Sequence, residues 1–383
     1  MKHIGILVPS FPIASETFVI TEINALVATG HKVTVITFEK TKLVTALDIN
    51  VNVVTIDKPS IISISNFTTK LPTLFKALNY SNKFKSISTP SLLAYGNEIA
   101  RLINKFNINH LHCHFMHGPL AYGIIGAKIA GITVSSIGHG HDVYVNKADL
   151  EQKVALCDFS VAVCKDMADQ FKEYSKNSIK LLHCGISLEQ FRFSPRSLNE
   201  SVKLLFIGRL VEKKGLQFLL PALKQLPNEF NITLDVVGDG PMLNDLIYMA
   251  EKLGIRDQIK FLGKKSPDWI AQNTIQYSAL IAPFCIANNG DRDTGPVVLK
   301  EAMACGVPVL TTSLMGANEI VTNQVGYKCL PGSISDITKM IYKFYLLTPH
   351  QRFEMGQNAK KLVAKQFNAT HQAKKLSQWV QAL

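Results

Sequence analysis

The 383-residue sequence lacks long hydrophobic runs: no stretch reaches the roughly 18 apolar residues that a membrane-spanning helix needs, although apolar residues make up 47% of the chain. It also lacks paired cysteines. The seven present, at 113, 157, 164, 184, 285, 305 and 329, show no short repeated spacing, which argues against a disulfide framework or thiol-built zinc site and for buried free thiols. Acidic side chains are scarce, 29 against 41 Lys and Arg, for a formal net charge of +12. Such a basic chain invites nucleic acid, but no recognition motif or aromatic stacking platform accompanies the charge, so no nucleic-acid partner is expected. A Gly-x-Gly-x-x-Gly turn is missing after the first apolar run, where Val8-Pro9-Ser10-Phe11-Pro12 stands instead. That argues against a dinucleotide-dependent oxidoreductase.

What is present suffices for two hydrophobic cores in a chain longer than one core usually grows. Short apolar runs over 3–9, 32–38, 109–115, 133–139, 159–164 and 179–184 alternate with amphipathic stretches such as 16–29 and 119–130, the rhythm of a helix-covered parallel sheet. The rhythm breaks in the polar stretch 193–200, where Pro195 marks a linker and hinge. It resumes from Lys203 to Cys329, with helical patterning from Ser333 onward. The fold class read from this is α/β: two Rossmann-like parallel-sheet domains facing a central cleft. Residues 1–195 form the N-terminal domain, 196–366 the C-terminal domain and 367–383 a final helix. Met1-Lys2-His3 runs straight into a strand, so a cytoplasmic location is expected.

The densest chemistry lies in Asp293-Thr294-Gly295-Pro296-Val297-Val298-Leu299-Lys300-Glu301-Ala302-Met303-Ala304-Cys305-Gly306-Val307-Pro308-Val309. Pro296 suits the first turn of a helix, and Asp-Thr-Gly supplies cap and loop chemistry. A helix starting there offers free backbone N–H groups to a phosphate, whereas the carboxylates of Asp293 and Glu301 repel phosphate and suit sugar hydroxyls. Diols beside a diphosphate describe a nucleoside diphosphate sugar. Upstream, the strand-like run Lys203–Ile207 ends in Gly208-Arg209-Leu210-Val211-Glu212-Lys213-Lys214-Gly215, which delivers cations past its carboxyl end, where open α/β sheets bind ligands. Leu234-Asp235-Val236-Val237-Gly238-Asp239-Gly240-Pro241, Ile259-Lys260-Phe261-Leu262-Gly263 and Ala279-Leu280-Ile281-Ala282-Pro283 complete the series.

In this order, across the whole second half, these motifs resemble the donor-site signature of the family 4 retaining glycosyltransferases of GT-B fold. One departure is Asp293-Thr294, where the family usually carries Glu then Gly, so this carboxylate is one methylene shorter. The resemblance implies that Arg209 and Lys214 pair with the diphosphate, Gly208, Gly295, Val297 and Val298 border the nucleotide, and Asp293 and Glu301 read the sugar. Lys213 competes with Lys214, but Gly215 next door favours the latter. Phe261 and Leu262 would face the nucleobase or else be plain core. Uridine diphosphate is favoured over guanosine diphosphate, with no cofactor beyond this co-substrate. The implied reaction transfers a hexosyl group with retention and without a metal. A nucleotide-sugar epimerase of the same fold and a noncatalytic sugar-nucleotide-binding protein are the rival readings.

The first half is sparser. Ser135-Ser136-Ile137-Gly138-His139-Gly140-His141-Asp142 resembles the family's His-Gly-x-Asp loop. Carried over, His139 hydrogen-bonds the transferred sugar near its anomeric carbon and Asp142 shapes the loop, with His141 as a competitor. Phe11-Pro12-Ile13-Ala14-Ser15-Glu16-Thr17-Phe18 resembles the subset associated with bacterial surface and exopolysaccharide assembly, which implies a glycan or lipid-linked oligosaccharide acceptor. Ser15 would cap the following helix, and Glu16, in its first turn, is either structural or an acceptor contact. His112 and His114 share one face of a strand, but no third ligand is evident, so no metal site is expected. Lys70, Lys76, Lys83, Lys85, Arg101 and Lys105 face a single acid, Glu98. That segment either rests on an anionic inner-leaflet surface or packs on the first sheet with its basic face solvated. The final helix either crosses back onto the first domain or lies on the surface.

Overall fold

The computed structural model describes residues 1–13, 16–42, 47–59, 71–191 and 200–383. Ser15, Lys70 and the linker residues 193–199, Pro195 included, lie outside them. The chain divides into two compact units, Met1–Gly185 with Ala369–Leu383, and Ile186–Asn368.

The first unit holds strands β1 (His3–Phe11), β2 (Lys32–Lys40), β3 (Asn52–Thr55), β4 (His110–His114), β5 (Thr133–Ile137), β6 (Phe159–Ala162) and β7 (Ser178–Leu181). They form one sheet in the order β3-β2-β1-β4-β5-β6-β7, every neighbouring pair parallel. A parallel sheet covered on both faces needs continuous apolar strands rather than alternating ones. Ile4, Ile6, Leu7 and Val8 of β1 and Val33, Val35 and Ile36 of β2 are accordingly all buried. The chain lays down β1, β2 and β3 in one direction, then returns to place β4 on the other side of β1. The strand order therefore reverses between β1 and β4, the position where crevices form at the carboxyl ends of open sheets.

The second unit repeats the plan with β8 (Val202–Ile207), β9 (Ile232–Val237), β10 (Ile259–Gly263), β11 (Ala279–Ala282), β12 (Val309–Thr312) and β13 (Gly326–Cys329). The order is β10-β9-β8-β11-β12-β13, again parallel throughout, with its reversal between β8 and β11. Leu204, Phe206, Leu219, Leu234, Ile281 and Phe344 are among its core residues. Two glycines fit the loops to this sheet. Gly215 has φ +77, and a Cβ there would lie 1.8 Å from the Pro283 carbonyl oxygen at the end of β11; Gly238 has φ +140 and the same close approach to the Gly208 carbonyl. Left-handed strain and the clash together predict that Gly215→Ala costs about 3 kcal/mol. In a denaturant titration of the full chain, the second unit's transition should move to lower denaturant while the first unit's stays in place.

The last helix, Ala369–Gln381, belongs to the first unit. It buries Leu376 and Val380, sets Ser377 Oγ 2.7 Å from His31 Nε2 and brings Trp379 edge-on to Phe159. The basic segment forms helices Leu71–Ser81 and Thr89–Phe106. Ala77, Leu92, Ile99 and Ile103 on them, and Phe84 between them, are buried, while Lys76, Lys83, Lys85 and Lys105 are exposed and Arg101 is held by Glu98 at 2.6 and 2.9 Å. Among the described residues no helix is long and apolar enough to cross a membrane.

Candidate active site

The loops following β8 and β11 leave the sheet side by side, because those strands are neighbours at the order reversal. Gly208 N–H donates to the Val237 carbonyl at 3.0 Å, turning the chain out of β8. A Cβ on Gly208 would meet Lys214 Cε at 3.3 Å, so the lysine stem lies against the glycine. Lys214 Nζ sits 3.2 Å from Asp293 Oδ1 and 3.1 Å from Oδ2, and 5.1 Å from the centroid of the Phe284 ring. Lys213 makes the parallel pair with Asp291 at 3.0 Å. Arg209 is exposed and, among the described residues, forms no salt bridge.

The structure thus joins two residues that the sequence assigns to opposite ends of a ligand. Asp293, expected to read sugar hydroxyls, spends its carboxylate on the ammonium expected to hold phosphate. Opposite charges this sheltered attract strongly enough to decide the arrangement. Thr294 is buried, and its carbonyl accepts the Gly316 N–H at 3.0 Å. Pro296 stands at the cap position with φ −61 and ψ 111, and the helix runs Val297–Ala304, so the proline precedes the first turn rather than lying in it. Gly295, Val297 and Val298 are half-buried at that start, where N–H groups have no partner within the helix. Glu301 lies in the second turn; burial pushes its carboxyl up to about 7, with the neighbouring Lys300 charge pulling it down. Phe261 packs against the core, with the Arg256 guanidinium 5.7 Å from its ring. Leu262 lies in a register slip between Phe261 and Gly263 and is half-buried.

In the first unit, His139 stands at the start of the short helix Gly140–Tyr144. Its N–H donates to the Asp142 carboxylate at 3.0 and 3.2 Å, and Met116 N–H donates to the same group at 2.5 Å. Asp142 therefore ties the exit of β4 to the His139 loop. Burial pushes that carboxyl up to about 6 against the pull of these bonds. Burial, then the nearby His114, lowers the His139 imidazole to about 3, so the ring is neutral at physiological pH. Its Nε2 is buried with no hydrogen-bond partner among the described residues. His141 is exposed. Phe115, next after β4, holds φ +72, a strained value for a side-chain-bearing residue, and its ring lies 4.8 Å from that of His139. Glu16 occupies the cap position of helix Thr17–Ala28, one residue ahead of the expected first turn.

Sequence reading missed Glu22. Its Oε1 lies 3.0 Å from His114 Nε2 and 3.6 Å from His112 Nε2, a third group beside the two strand histidines. The only sequence signal was its place on the helix after the first strand, next to the order reversal.

Two family profiles match the chain: "Glycosyltransferase Family 4" over residues 15–190 and "Glycosyl transferases group 1" over residues 187–362. The WcaL protein of Escherichia coli K12, whose name assigns it to colanic acid biosynthesis as a glycosyltransferase, is 23% identical, covering 99% of this chain and 100% of its own. The amylovoran biosynthesis glycosyltransferase AmsK of Erwinia amylovora is 30% identical over 38% of this chain and 37% of its own. Among solved structures, Anabaena HepE in complex with UDP and glucose superposes with a TM-score of 0.75 at 19% identity, over the full length of both chains. The two profiles between them take in both halves of the chain, which belongs to the family 4 glycosyltransferases and has their GT-B fold.

Proposed function

We propose that this enzyme transfers a hexosyl group, with retention, from a uridine diphosphate sugar to a glycan or lipid-linked oligosaccharide during bacterial polysaccharide assembly. The observation that carries the donor reading is the cation loop after β8 meeting the acid loop after β11, with Lys214 held on Asp293 and Arg209 left exposed. In this reading Lys214 and Arg209 neutralise the diphosphate, the task that a metal performs in other transferases. Asp293 positions Lys214 and offers its remaining lone pairs to the sugar, while the half-buried Glu301 accepts hydrogen bonds from sugar hydroxyls. The neutral imidazole of His139, whose Nε2 has no hydrogen-bond partner among the described residues, is assigned to the transferred sugar. The C1–O bond to the departing phosphate breaks as the acceptor oxygen bonds C1 on the same face, and the phosphate oxygen takes the acceptor's proton.

UDP as the carrier is supported by the UDP bound to HepE, and a polysaccharide product by the names of WcaL and AmsK. In this reading the enzyme works at the cytoplasmic face of the membrane, supported by the exposed Lys76, Lys83 and Lys85, which would meet anionic lipid. A melting-temperature panel of nucleoside diphosphate sugars against the full chain tests the donor. One UDP-hexose should stabilise most, by several degrees at a hundred times its Kd, with GDP sugars weaker. Equal shifts for all, or none, contradict the reading. Proton NMR of the product should show the donor's anomeric configuration; the inverted anomer rules out retention. Incubation with donor alone should yield no new nucleotide sugar, which separates transfer from epimerisation.

Asp293→Asn should free Lys214 from its anchor and lower kcat/KM about tenfold, the cost of losing one charged positioning contact. Asp293→Glu, the family's usual residue, should retain most activity. Unchanged kcat/KM in both variants contradicts the role given to Asp293.

A further inference from the structure

We propose that the first unit carries a binding site for one divalent transition-metal ion of the zinc class, formed by Glu22, His112 and His114. Residues two apart on a strand point the same way, so β4 sets both imidazoles on one face, where their side chains are fully buried. Glu22 comes from helix Thr17–Ala28, which follows β1, and β1 pairs directly with β4. The site therefore lies at the order reversal of this sheet, at strand carboxyl ends. One ligand atom from each residue lies within 4.8 Å of the others, and Glu22 Oε1 is 3.0 and 3.6 Å from the two Nε2 atoms. Ligand atoms on a tetrahedral zinc, with bonds of about 2.0–2.1 Å, stand about 3.3 Å apart. Modest side-chain adjustment gathers all three around one ion.

His114 Nε2 and Glu22 Oε1 share a hydrogen bond at 3.0 Å, whose proton the ion would displace; the hydrogen bonds around His112 favour that exchange. His112 Nδ1 is 2.7 Å from Ser135 Oγ, which is also 2.7 Å from His110 Nε2. When His112 Nδ1–H donates to the serine and the serine donates to His110, His112 Nε2 is a bare lone pair beside a carboxylate. That atom has no hydrogen-bond partner among the described residues. A lone pair facing a carboxylate oxygen is repulsive without a cation between them, and an outer partner fixing the tautomer, as Ser135 would, typically accompanies metal-binding histidines. Two imidazoles and one carboxylate suit zinc and its transition-metal neighbours rather than magnesium or calcium, which prefer all-oxygen shells. Cys113, between the histidines, does not compete, because successive strand residues point to opposite faces and its sulfur lies against Gly123 of helix Gly118–Ala130. The ion would tie helix Thr17–Ala28 to β4 and balance the charge of Glu22. It belongs to the first unit and does not replace Lys214 or Arg209 at the diphosphate.

The test is Zn2+ binding to the full chain, stripped with chelator and free of any affinity tag, read by competition with a chromophoric chelator and by elemental analysis. One Zn2+ per chain should bind with a Kd below about 1 µM. Glu22→Gln and His112→Gln should each weaken binding by about a hundred-fold or more, while His350→Gln, a surface histidine beside Glu354, should bind as the parent does. Melting of the stripped proteins shows which variants fold, and Zn2+ should raise the melting temperature of the parent but not of the variants. X-ray absorption of the zinc-loaded parent, which needs no variant, should show two imidazole nitrogens and at least one oxygen. No stoichiometric uptake, uptake that survives both substitutions, or a shell without two imidazoles overturns the site; the cluster would then hold a proton, with any zinc adventitious.

Discussion

Lys214→Ala is expected to lower kcat/KM for sugar transfer by about a thousand-fold. Removing one charge that stabilises a departing anion typically costs a hundred- to a thousand-fold, and here the loss has a second part. Without its partner the Asp293 carboxylate, held within 3.2 Å of the ammonium in the parent, becomes an uncompensated negative charge in the loop assigned to an anionic diphosphate. Lys214→Ala/Asp293→Asn should therefore be less impaired than the two single losses multiplied together, a coupling that a double-mutant cycle reads directly. Lys214→Arg should recover only part of the rate, since a planar guanidinium does not reproduce a point charge whose stem lies against Gly208. Arg209→Ala should fall in the same range without the coupling to Asp293, because Arg209 forms no salt bridge among the described residues. Steady-state kinetics check all four, with melting curves to show that each variant is folded at the assay temperature; additive losses contradict the positioning role given to Asp293.

Glu301→Gln should reduce kcat/KM about a hundred-fold, the range for deleting a charged hydrogen-bond acceptor, and make the fold more stable at the same time. Burial raises this carboxyl from the usual 4.5 to about 7. The folded state then binds a proton that the unfolded chain has released between those two values. The group's stability contribution is fully present below about pH 4.5 and is lost as pH rises through about 7, leaving a cost of up to roughly 3 kcal/mol at pH 8. Glutamine is neutral and escapes that cost, so the variant should melt above the parent at pH 8 and near it at pH 5. Its role as a charged hydrogen-bond acceptor needs the carboxylate ionised. The parent's rate should accordingly rise between pH 6 and 8, while the variant's stays flat through that window. A variant that keeps the parent's rate contradicts the role, and one that melts lower at pH 8 contradicts the burial.

Much of this was legible in the sequence because local pattern and fold coincide. The apolar runs at 3–9, 32–38 and 203–207 become β1, β2 and β8, since a strand buried on both faces has to be apolar along its length. β3 escaped notice, being a four-residue edge strand with half-buried valines between exposed ends. The helix after Pro296 was legible from its turn chemistry to within one residue. Pairings between distant residues were not legible. Lys214 and Asp293 are 79 positions apart and Glu22 and His114 are 92 apart; nothing local in either partner specifies the other. Each pair forms because the strand order reverses between β8 and β11, or between β1 and β4, and sets two loops or a helix and a strand side by side. Short motifs locate the ends of strands, whereas the order of the strands decides which ends meet.

Calorimetric titration of UDP, with GDP beside it, into the full chain and its Arg209→Ala and Lys214→Ala variants asks directly whether the second unit is a nucleoside diphosphate site. The parent should bind one UDP per chain, and each variant, shown by its melting curve to be folded, should bind about ten- to a hundred-fold more weakly. Equal affinity in all three proteins, or no nucleotide bound by the parent, would mean that these cations do not hold a diphosphate.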